Sequence, residues 1–476
     1  MLDRPLTLLS AVLVAASAVV AVALLADPAA VGAIPAVGSG PSLLPPARVG
    51  PLSMTLRAER SVLSPDESDS RAMVEIQADE GVGDVVQRPA AITIVVDVSG
   101  SMAGTRIEDA RAGAARLVER LGDDDLLSIV SFESEGRTVL APTRLGDSRA
   151  LASDAVGQLA PLGGTCMSCG LELAYELLAE APATHDRRVV VFSDGHANEG
   201  ISTPEGLAAV VGTGWDLHRV ASTTVGLGAD YDAPLLNLLA ERGMGSHLFS
   251  PGPGALVRIL DREVERMRAV VARNVVLELV PNPGVRIGEL AGELARRADG
   301  TVRVALGSLS ASDRRRMLLP LSIGPGGPRD VVTARLVTDA GASPDARLHL
   351  GRSPDPTVVK ASLDFESAGY FAAIAASSAR SEAMRSAAAG DRDAAQVTLE
   401  SAWQQLSEVH AQTGLSELQI ELDEVAKTLE GLEHWTAPEL NSMVNNTAAC
   451  DLEVRRGVKA DGRWNTAELL EQHTSY

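Results

Sequence analysis

Hydrophobic and polar positions change their spacing several times along this chain of 476 residues. Residues 6–26, LTLLSAVLVAASAVVAVALLA, form an uncharged, mostly apolar run preceded only by the free amine, Asp3 and Arg4. A secretory core needs about 7–15 apolar residues and a membrane-spanning helix about 20. Residues 1–33 therefore fit both a signal peptide and an uncleaved N-terminal membrane anchor, with small-residue cleavage sites at Ala21-Val22-Ala23 and Val31-Gly32-Ala33. Both readings predict an exported protein, either held on the outer face of the cytoplasmic membrane or released into the periplasm or extracellular space. Residues 34–51, rich in Pro, Gly, Ala and Ser without a period, read as a linker. From residue 52 the spacing becomes alternate. SMTLRAERSVL and SRAMVEIQA, parted by Ser64-Pro65-Asp66, predict a pair of strands within 52–88. Two strands alone do not make a domain.

From Ala91, short apolar runs alternate with helical patterns: ITIVVD, RIEDARAGAARLVERL, LLSIVSF, LELAYELLAEA, RVVVFSD, PEGLAAVV, ASTTVGLG and APLLNLLAERG. This alternation predicts an α/β domain over 89–271, its mostly parallel sheet covered on both faces by helices. Short strands return from residue 274 to 338 (NVVLELVP, VRIGEL, TVRVAL, RRMLLPLSI and VVTARLVTD), punctuated by Pro-Gly and Gly-Pro turns. They predict a β-sandwich. The economical arrangement is one sandwich built from 52–88 and 272–350, with the α/β domain inserted between the two parts. Helical patterns at 365–389, 394–407 and 415–432 make a small helical unit over 358–436, similar to a lone tetratricopeptide-like hairpin plus a helix. Residues 437–476 form a tail without a clear period.

Composition narrows the partners. Lys and Arg number 42 against 63 Asp and Glu, a formal net charge of −21, so phosphate backbones and anionic lipids repel the chain as a whole. Nucleic acid is excluded on this ground, and membrane contact is left to the N-terminal segment. The lysines are Lys360, Lys427 and Lys459, so chemistry that needs a lysine in the first 350 residues is excluded as well. Aromatic residues are 3% of the chain, and the cores must be built from Val, Leu, Ile and Ala. The three cysteines, Cys166, Cys169 and Cys450, are too few for a disulfide-stapled scaffold, and none lies near the N-terminus where a lipid anchor would need one.

Ligands of open parallel sheets sit at the carboxyl ends of the strands, which singles out three stretches. Asp97-Val98-Ser99-Gly100-Ser101 follows ITIVV with a carboxylate and two hydroxyls at alternate positions, so a loop turning over an ion can point all three the same way. Gly163-Gly164-Thr165 supplies another hydroxyl, and Ser193-Asp194-Gly195 a second carboxylate after VVVFS. Hard oxygen donors of this kind suit Mg2+, Mn2+ or Ca2+ rather than zinc. Taken singly, Ser99, Ser101 and Thr165 would serve as helix caps, and Asp97 and Asp194 as acceptors for backbone N–H groups. Five oxygen donors at one sheet end argue jointly for a metal.

In this order and spacing, Asp97, Ser99, Ser101, Thr165 and Asp194 resemble the metal-ion-dependent adhesion site of von Willebrand factor type A domains, with the resemblance running over about residues 90–270. The flanking sandwich and C-terminal helices are similar in layout to bacterial proteins of this type related to inter-alpha-trypsin inhibitor heavy chains and calcium-activated channel homologues. The resemblance implies a Rossmann-like domain that acts as a binding module and is not an enzyme. Asp97, Ser99, Ser101 and Thr165 would hold a divalent cation, Mg2+ before Mn2+ or Ca2+, directly or through water. Asp194 would balance its charge, and an Asp or Glu carboxylate of a partner protein would fill the open position. Two carboxylates leave a doubly charged ion weakly neutralised, so it attracts a third. The metal thus lets an acidic protein bind acidic groups.

Other readings remain beside this one. The metal site could be vestigial in an assembly protein whose C-terminal helices make the main contact. A Mg2+-dependent phosphohydrolase of the haloacid-dehalogenase type would use Asp97 as nucleophile, but Ser99 stands where its general acid belongs and no lysine is at hand. Cys166-Met167-Ser168-Cys169 directly follows Thr165; it reads as a structural disulfide first, with a redox pair or zinc site less well supported. His196 and the run Asp123-Asp124-Asp125 are expected to be solvated. Phosphate-loop, dinucleotide, nucleophile-elbow and HExxH motifs are absent from the sequence.

Overall fold

The computed structural model describes residues 46–81, 88–228, 230–250, 253–290, 293–326, 329–437, and 439, 440, 443, 444 and 447. The expected leader and nearly all of the expected tail lie outside the described residues. Among the described residues, no helix is long and apolar enough to cross a membrane.

The chain begins with β1 (Ala47–Val49), β2 (Leu52–Ala58), β3 (Val62–Leu63) and β4 (Asp69–Ala78). β1 corrects the linker reading of 34–51: Ala47 and Val49 are buried, and the strand pairs antiparallel with β2. The α/β unit follows as β5 (Ala90–Asp97), α1 (Thr105–Arg120), β6 (Leu126–Phe132), β7 (Gly136–Arg144), α2 (Leu145–Gly157), α3 (Met167–Ala179), β8 (Asp186–Ser193), α4 (Pro204–His218), β9 (Ala221–Leu227), α5 (Ala233–Arg242), β10 (Met244–Ser250) and α6 (Pro253–Arg268). Its six-stranded sheet has the order β10-β9-β8-β5-β6-β7, parallel throughout except for β7, which runs antiparallel to β6 at the edge. The elements β7, α2, β10 and α6 are not among those expected from sequence.

Alternation along β5 explains the two covered faces. Ile92, Ile94 and Val96 pack with buried residues of α1, α2 and α6, while Ala91 and Val95 pack with α3, α4 and α5. The polar Thr93 is tolerated in the core because its hydroxyl lies 2.8 Å from that of Ser128 on β6. On α1, Ile107, Ala110, Ala114, Leu117 and Val118 give the apolar stripe of a helix that covers a sheet. The Asp123–Asp125 turn is only partly solvated. Asp123 and Asp124 are exposed, but Asp125 is buried and accepts from Ala90 N and Gly122 N, each at 2.7 Å.

After the α/β unit come β11 (Val270–Pro281), β12 (Val285–Ile287), β13 (Glu293–Arg296), β14 (Val302–Ser310), β15 (Arg314–Ile323), β16 (Arg329–Thr338), β17 (Gly341–Ala342) and β18 (Ala346–Arg352). They combine with the first strands into a five-stranded sheet, β1-β2-β4-β15-β12, and a seven-stranded sheet, β13-β14-β11-β16-β18-β3, with β17 paired to β16 off this path. One hydrophobic cluster joins the two: Leu52, Met54, Val74 and Ile76 from the first share it with Leu277, Leu279, Val304 and Leu336 from the second. The α/β unit thus lies in sequence between strands of a single two-sheet unit, with β4 before it pairing along its length with β15 after it.

The chain ends in α7 (Pro356–Ala361), α8 (Phe365–Ala388), α9 (Arg392–Thr413) and α10 (Ser416–Leu432). Tyr370 and Phe371 of α8 pack on Met73 of β4, and Tyr370 Oη donates to Arg316 O at 3.0 Å. Arg316 in turn pairs with Glu75 at 2.6 Å and with Glu366 at 2.5 Å, which fastens the helices to the five-stranded sheet.

A second fastening links the α/β unit to the two-sheet unit. Arg273 of β11 grips Asp186 of β8 with two bonds, Nε to Oδ1 at 2.8 Å and Nη2 to Oδ2 at 2.7 Å, and both side chains are largely buried. Removing one member of such a pair strands the other charge, so Arg273→Met is expected to lower stability by about 2–4 kcal/mol, with Asp186→Asn added to it recovering part of the loss. Urea unfolding of the four forms of this double-mutant cycle checks it.

Candidate metal centre

The order of the α/β sheet creates the site. From β5 the chain moves outward to β6 on one side and later returns to place β8 on the other, so the carboxyl ends of β5 and β8 form the switch point of the sheet, where such sheets bind ligands. Asp97 closes β5, and Asp194 directly follows β8. Ser99 stands between Asp97 and a short 3-10 turn, Gly100–Met102, which carries Ser101. Thr165 precedes α3, whose cap is Cys166.

Backbone hydrogen bonds hold these segments together. Leu162 N donates to Val98 O at 2.5 Å and Gly100 N to Gly163 O at 3.0 Å, which ties the loop of Ser99 and Ser101 to that of Thr165. Thr165 N donates to Asn198 Oδ1 at 3.0 Å, while Asn198 N and Glu199 N donate back to Thr165 O at 3.1 and 3.2 Å. That exchange ties Thr165 to the loop after β8. Asp232 N donates to Asp194 O at 2.8 Å and adds the segment before α5. All five residues expected from sequence thus lie on loops bonded to one another at one sheet end.

Asp97, Ser99, Thr165 and Asp194 are buried, and Ser101 is exposed, so the site has an enclosed floor and one open side. Asp97 Oδ1 accepts from Ser99 N at 2.9 Å, and Oδ2 accepts from Ser193 Oγ at 2.6 Å. Asp194 Oδ1 accepts from His196 N at 3.2 Å, and Oδ2 accepts from Arg106 Nη1 at 3.1 Å. The hydroxyls of Ser99 and Ser101 are 3.1 Å apart. Burial pushes the Asp97 carboxyl up to about 6; the bonds from Ser193 and Ser99 oppose this, and nearby Asp194 adds to it. Among the described residues no three His, Cys, Asp or Glu side chains group as metal ligands. The donors here are two carboxylates and three hydroxyls, a hard set that fits Mg2+ or Ca2+ and not zinc.

Sequence reasoning missed Arg106 and Ser193. The first is nine positions after Asp97 on the polar side of α1, and the second is hidden at the end of a strand; neither stands in a pattern that marks it. His196 is exposed, its Nε2 3.1 Å from Asp230 O. Cys166 and Cys169 are joined in a disulfide with Cα atoms 5.4 Å apart. Gly200 makes room for it: a Cβ there would lie 2.4 Å from Cys166 Sγ, and its φ of +63° is itself unfavourable for other residues.

The raised Asp97 carboxyl has a consequence for stability. Its value near 6 in the folded protein exceeds the ordinary 3.8, so the folded state holds this proton more tightly than the unfolded chain does. Its contribution is full below about pH 4 and is lost as the pH rises through about 6. Asp97→Asn is therefore expected to stabilise the protein in EDTA at pH 7 by about 1–3 kcal/mol, with the gain vanishing near pH 4. Thermal melts at the two pH values check this, and equal melting temperatures at pH 7 would contradict it.

The von Willebrand factor type A domain family model matches residues 92–196, from β5 to just past Asp194. An uncharacterized protein of Synechocystis sp. is 26% identical over 243 residues, covering 49% of this chain and 57% of that protein. Inter-alpha-trypsin inhibitor heavy chain H3 of Mesocricetus auratus is 28% identical over 129 residues, 25% of this chain and 14% of that one. This chain spans little more than half the length of the first relative and about a seventh of the second. A solved structure, described as von Willebrand factor type A from Catenulispora acidiphila, shares the fold with a TM-score of 0.65 over 79% of this chain and 90% of that chain, at 20% identity. Fold and matched segment agree: the α/β unit of this chain contains a von Willebrand factor type A domain.

Proposed function

We propose that this protein is a divalent-metal-dependent protein-binding module working on the extracytoplasmic side of the membrane. Domains of its family mediate protein–protein contacts. In this reading Asp97, Ser99, Ser101, Thr165 and Asp194 form a metal-ion-dependent adhesion site for Mg2+, with Mn2+ or Ca2+ as substitutes. The bound ion supplies an electrophile for a carboxylate of an Asp or Glu on the partner. The observation that carries the reading is the pair of enclosed carboxylates, Asp97 and Asp194, on loops bonded to three hydroxyl-bearing residues. A charged pair of this kind is costly without a cation and is balanced by one. Catalysis has no comparable support, since Ser99 offers no general acid beside Asp97.

A second reading has an observation of its own. Phe365, Val397, Trp403 and Ile420 on the C-terminal helices are large apolar side chains that are 39–66% exposed. In this reading they serve an assembly role of the C-terminal helices, with the metal site secondary.

Pull-down from a membrane or envelope extract separates the two. With Mg2+ present, a partner released by EDTA and lost with Asp97→Ala is expected, while Val397→Glu with Trp403→Glu keeps it. The reverse pattern would favour the helical surface. Phosphate-ester hydrolysis abolished by Asp97→Asn would instead return the enzyme reading.

The disulfide bears on the same site. In this reading the Cys166–Cys169 bridge holds the segment that carries Thr165, so Cys166→Ser with Cys169→Ser is expected to weaken Mg2+ binding by roughly tenfold, about 1.4 kcal/mol. Isothermal titration under oxidising conditions measures it, and an unchanged affinity would remove the bridge from the account.

A further inference from the structure

Arg106 is a charge that the five-residue donor set does not include, yet it reaches the loops after β5, β8 and β9. It is the second residue of α1. Nη1 donates to Ser101 O at 2.8 Å and to Asp194 Oδ2 at 3.1 Å, and Nη2 pairs with Asp230 Oδ1. Gly228 clears the path after β9: a Cβ there would lie 2.5 Å from Arg106 Nε, and its φ is +87°. The Arg106 side chain is 20% exposed and that of Asp194 is fully enclosed, so their ion pair is not a solvated surface bridge. Arg106 thus brings a positive charge directly against the enclosed carboxylate of Asp194.

We propose that Arg106 is a fixed countercharge that tunes the site in two opposite senses, weakening its hold on the cation and strengthening the attraction of the loaded site for an acidic partner. The proposal rests on the reading of Asp97 and Asp194 as a cation site. Its basis is the charge count of the two carboxylates of the donor set and the groups that Arg106 pairs with. Asp97, Asp194 and Asp230 carry three negative charges, which outweigh a doubly charged cation by one. Arg106 cancels that excess among these groups, so an arriving carboxylate meets less repulsion than it would without the arginine and can answer the local field of the ion. Before loading, the same groups are net negative by two, and acidic partners are turned away. The cost is that Arg106 already takes up part of the negative charge that would bind the cation. Arg106 is thus a positioning and tuning residue rather than a ligand.

A purely structural role would look different. If Arg106 merely stitched the loops together, its loss would weaken cation and partner binding alike. A countercharge moves them apart. In Arg106→Met, the Mg2+ dissociation constant measured by isothermal titration is expected to fall by about three- to tenfold. Binding of a capped Gly-Gly-Asp-Gly-Gly peptide at saturating Mg2+, followed by NMR titration, is expected to weaken by a similar factor of about three to ten. Arg106→Lys should restore both values toward wild type, and both differences should shrink at high salt. Asp230→Asn, at an exposed carboxylate, should shift both in the opposite sense, which keeps the test open if Arg106→Met fails to fold. Arg106→Met and Asp230→Asn each moving the two affinities in the same direction would overturn the countercharge while leaving the metal site in place. A wild-type protein that binds no Mg2+ at millimolar concentration would instead overturn the reading on which it rests.

Discussion

The burial of two like charges at the ends of adjacent parallel strands is the constraint around which the α/β unit is arranged. Asp97 and Asp194 are both fully enclosed, and carboxylates in such a place must be answered by donors or cations. Each oxygen of both groups has a donor: Ser99 N and Ser193 Oγ for Asp97, His196 N and Arg106 for Asp194. These donors come from different segments, so satisfying the two acids also fixes the loops after β5 and β8 and the first turn of α1. The surrounding chain is built to carry a charge that the core alone would reject.

The apolar layers serve this arrangement from below. Strict alternation on β5 sends Ile92, Ile94 and Val96 to one layer and Ala91 and Val95 to the other, so the strand is clamped on both faces and its last residue has little freedom. With few aromatic residues available, the packing is done by branched aliphatic side chains and alanines. Phe132 and Phe192, completely buried on the strands at either side of β5, are among the exceptions, with Tyr175 and Tyr231. Precision at the sheet end is thus inherited from close packing several residues away.

Most of this was legible wherever a residue carried a local signal. The β-α alternation from ITIVVD to APLLNLLAERG marks the α/β unit because Val-rich runs and amphipathic helices have different periods. Asp97, Ser99, Ser101 and Asp194 could be singled out because they follow strands, and Thr165 because its Gly-Gly loop precedes a helix. What could not be read is equally physical. β7, GRTVLAPTR, is a half-exposed edge strand with a proline in it, and β10, MGSHLFS, owes its strand state to pairing with β9 rather than to its own residues. β1 is three residues long inside a Pro-rich stretch and becomes a strand only through β2. α6 does carry helical spacing at Leu256, Leu260, Val264 and Met267, although it follows directly on a run of Pro and Gly. Arg106 was invisible because an arginine near the start of a polar helix face is ordinary; only the fold brings it against Asp194.

The way the α/β unit is spliced into its neighbour has a mechanical side. The chain enters it from β4, the middle strand of the five-stranded sheet, and leaves it into β11, an interior strand of the seven-stranded sheet, with only Ala269 between α6 and β11. A pull on the face that carries Asp97 and Asp194 therefore reaches two sheets at once through two covalent tethers. Neither tether ends on an edge strand that could be peeled off bond by bond. β4 is laced to both β2 and β15, and β11 to both β14 and β16, so the load falls on whole ladders in shear. An inserted domain of this kind is gripped like a bolt through two plates, and the grip is set by the topology of the chain rather than by the strength of any one contact.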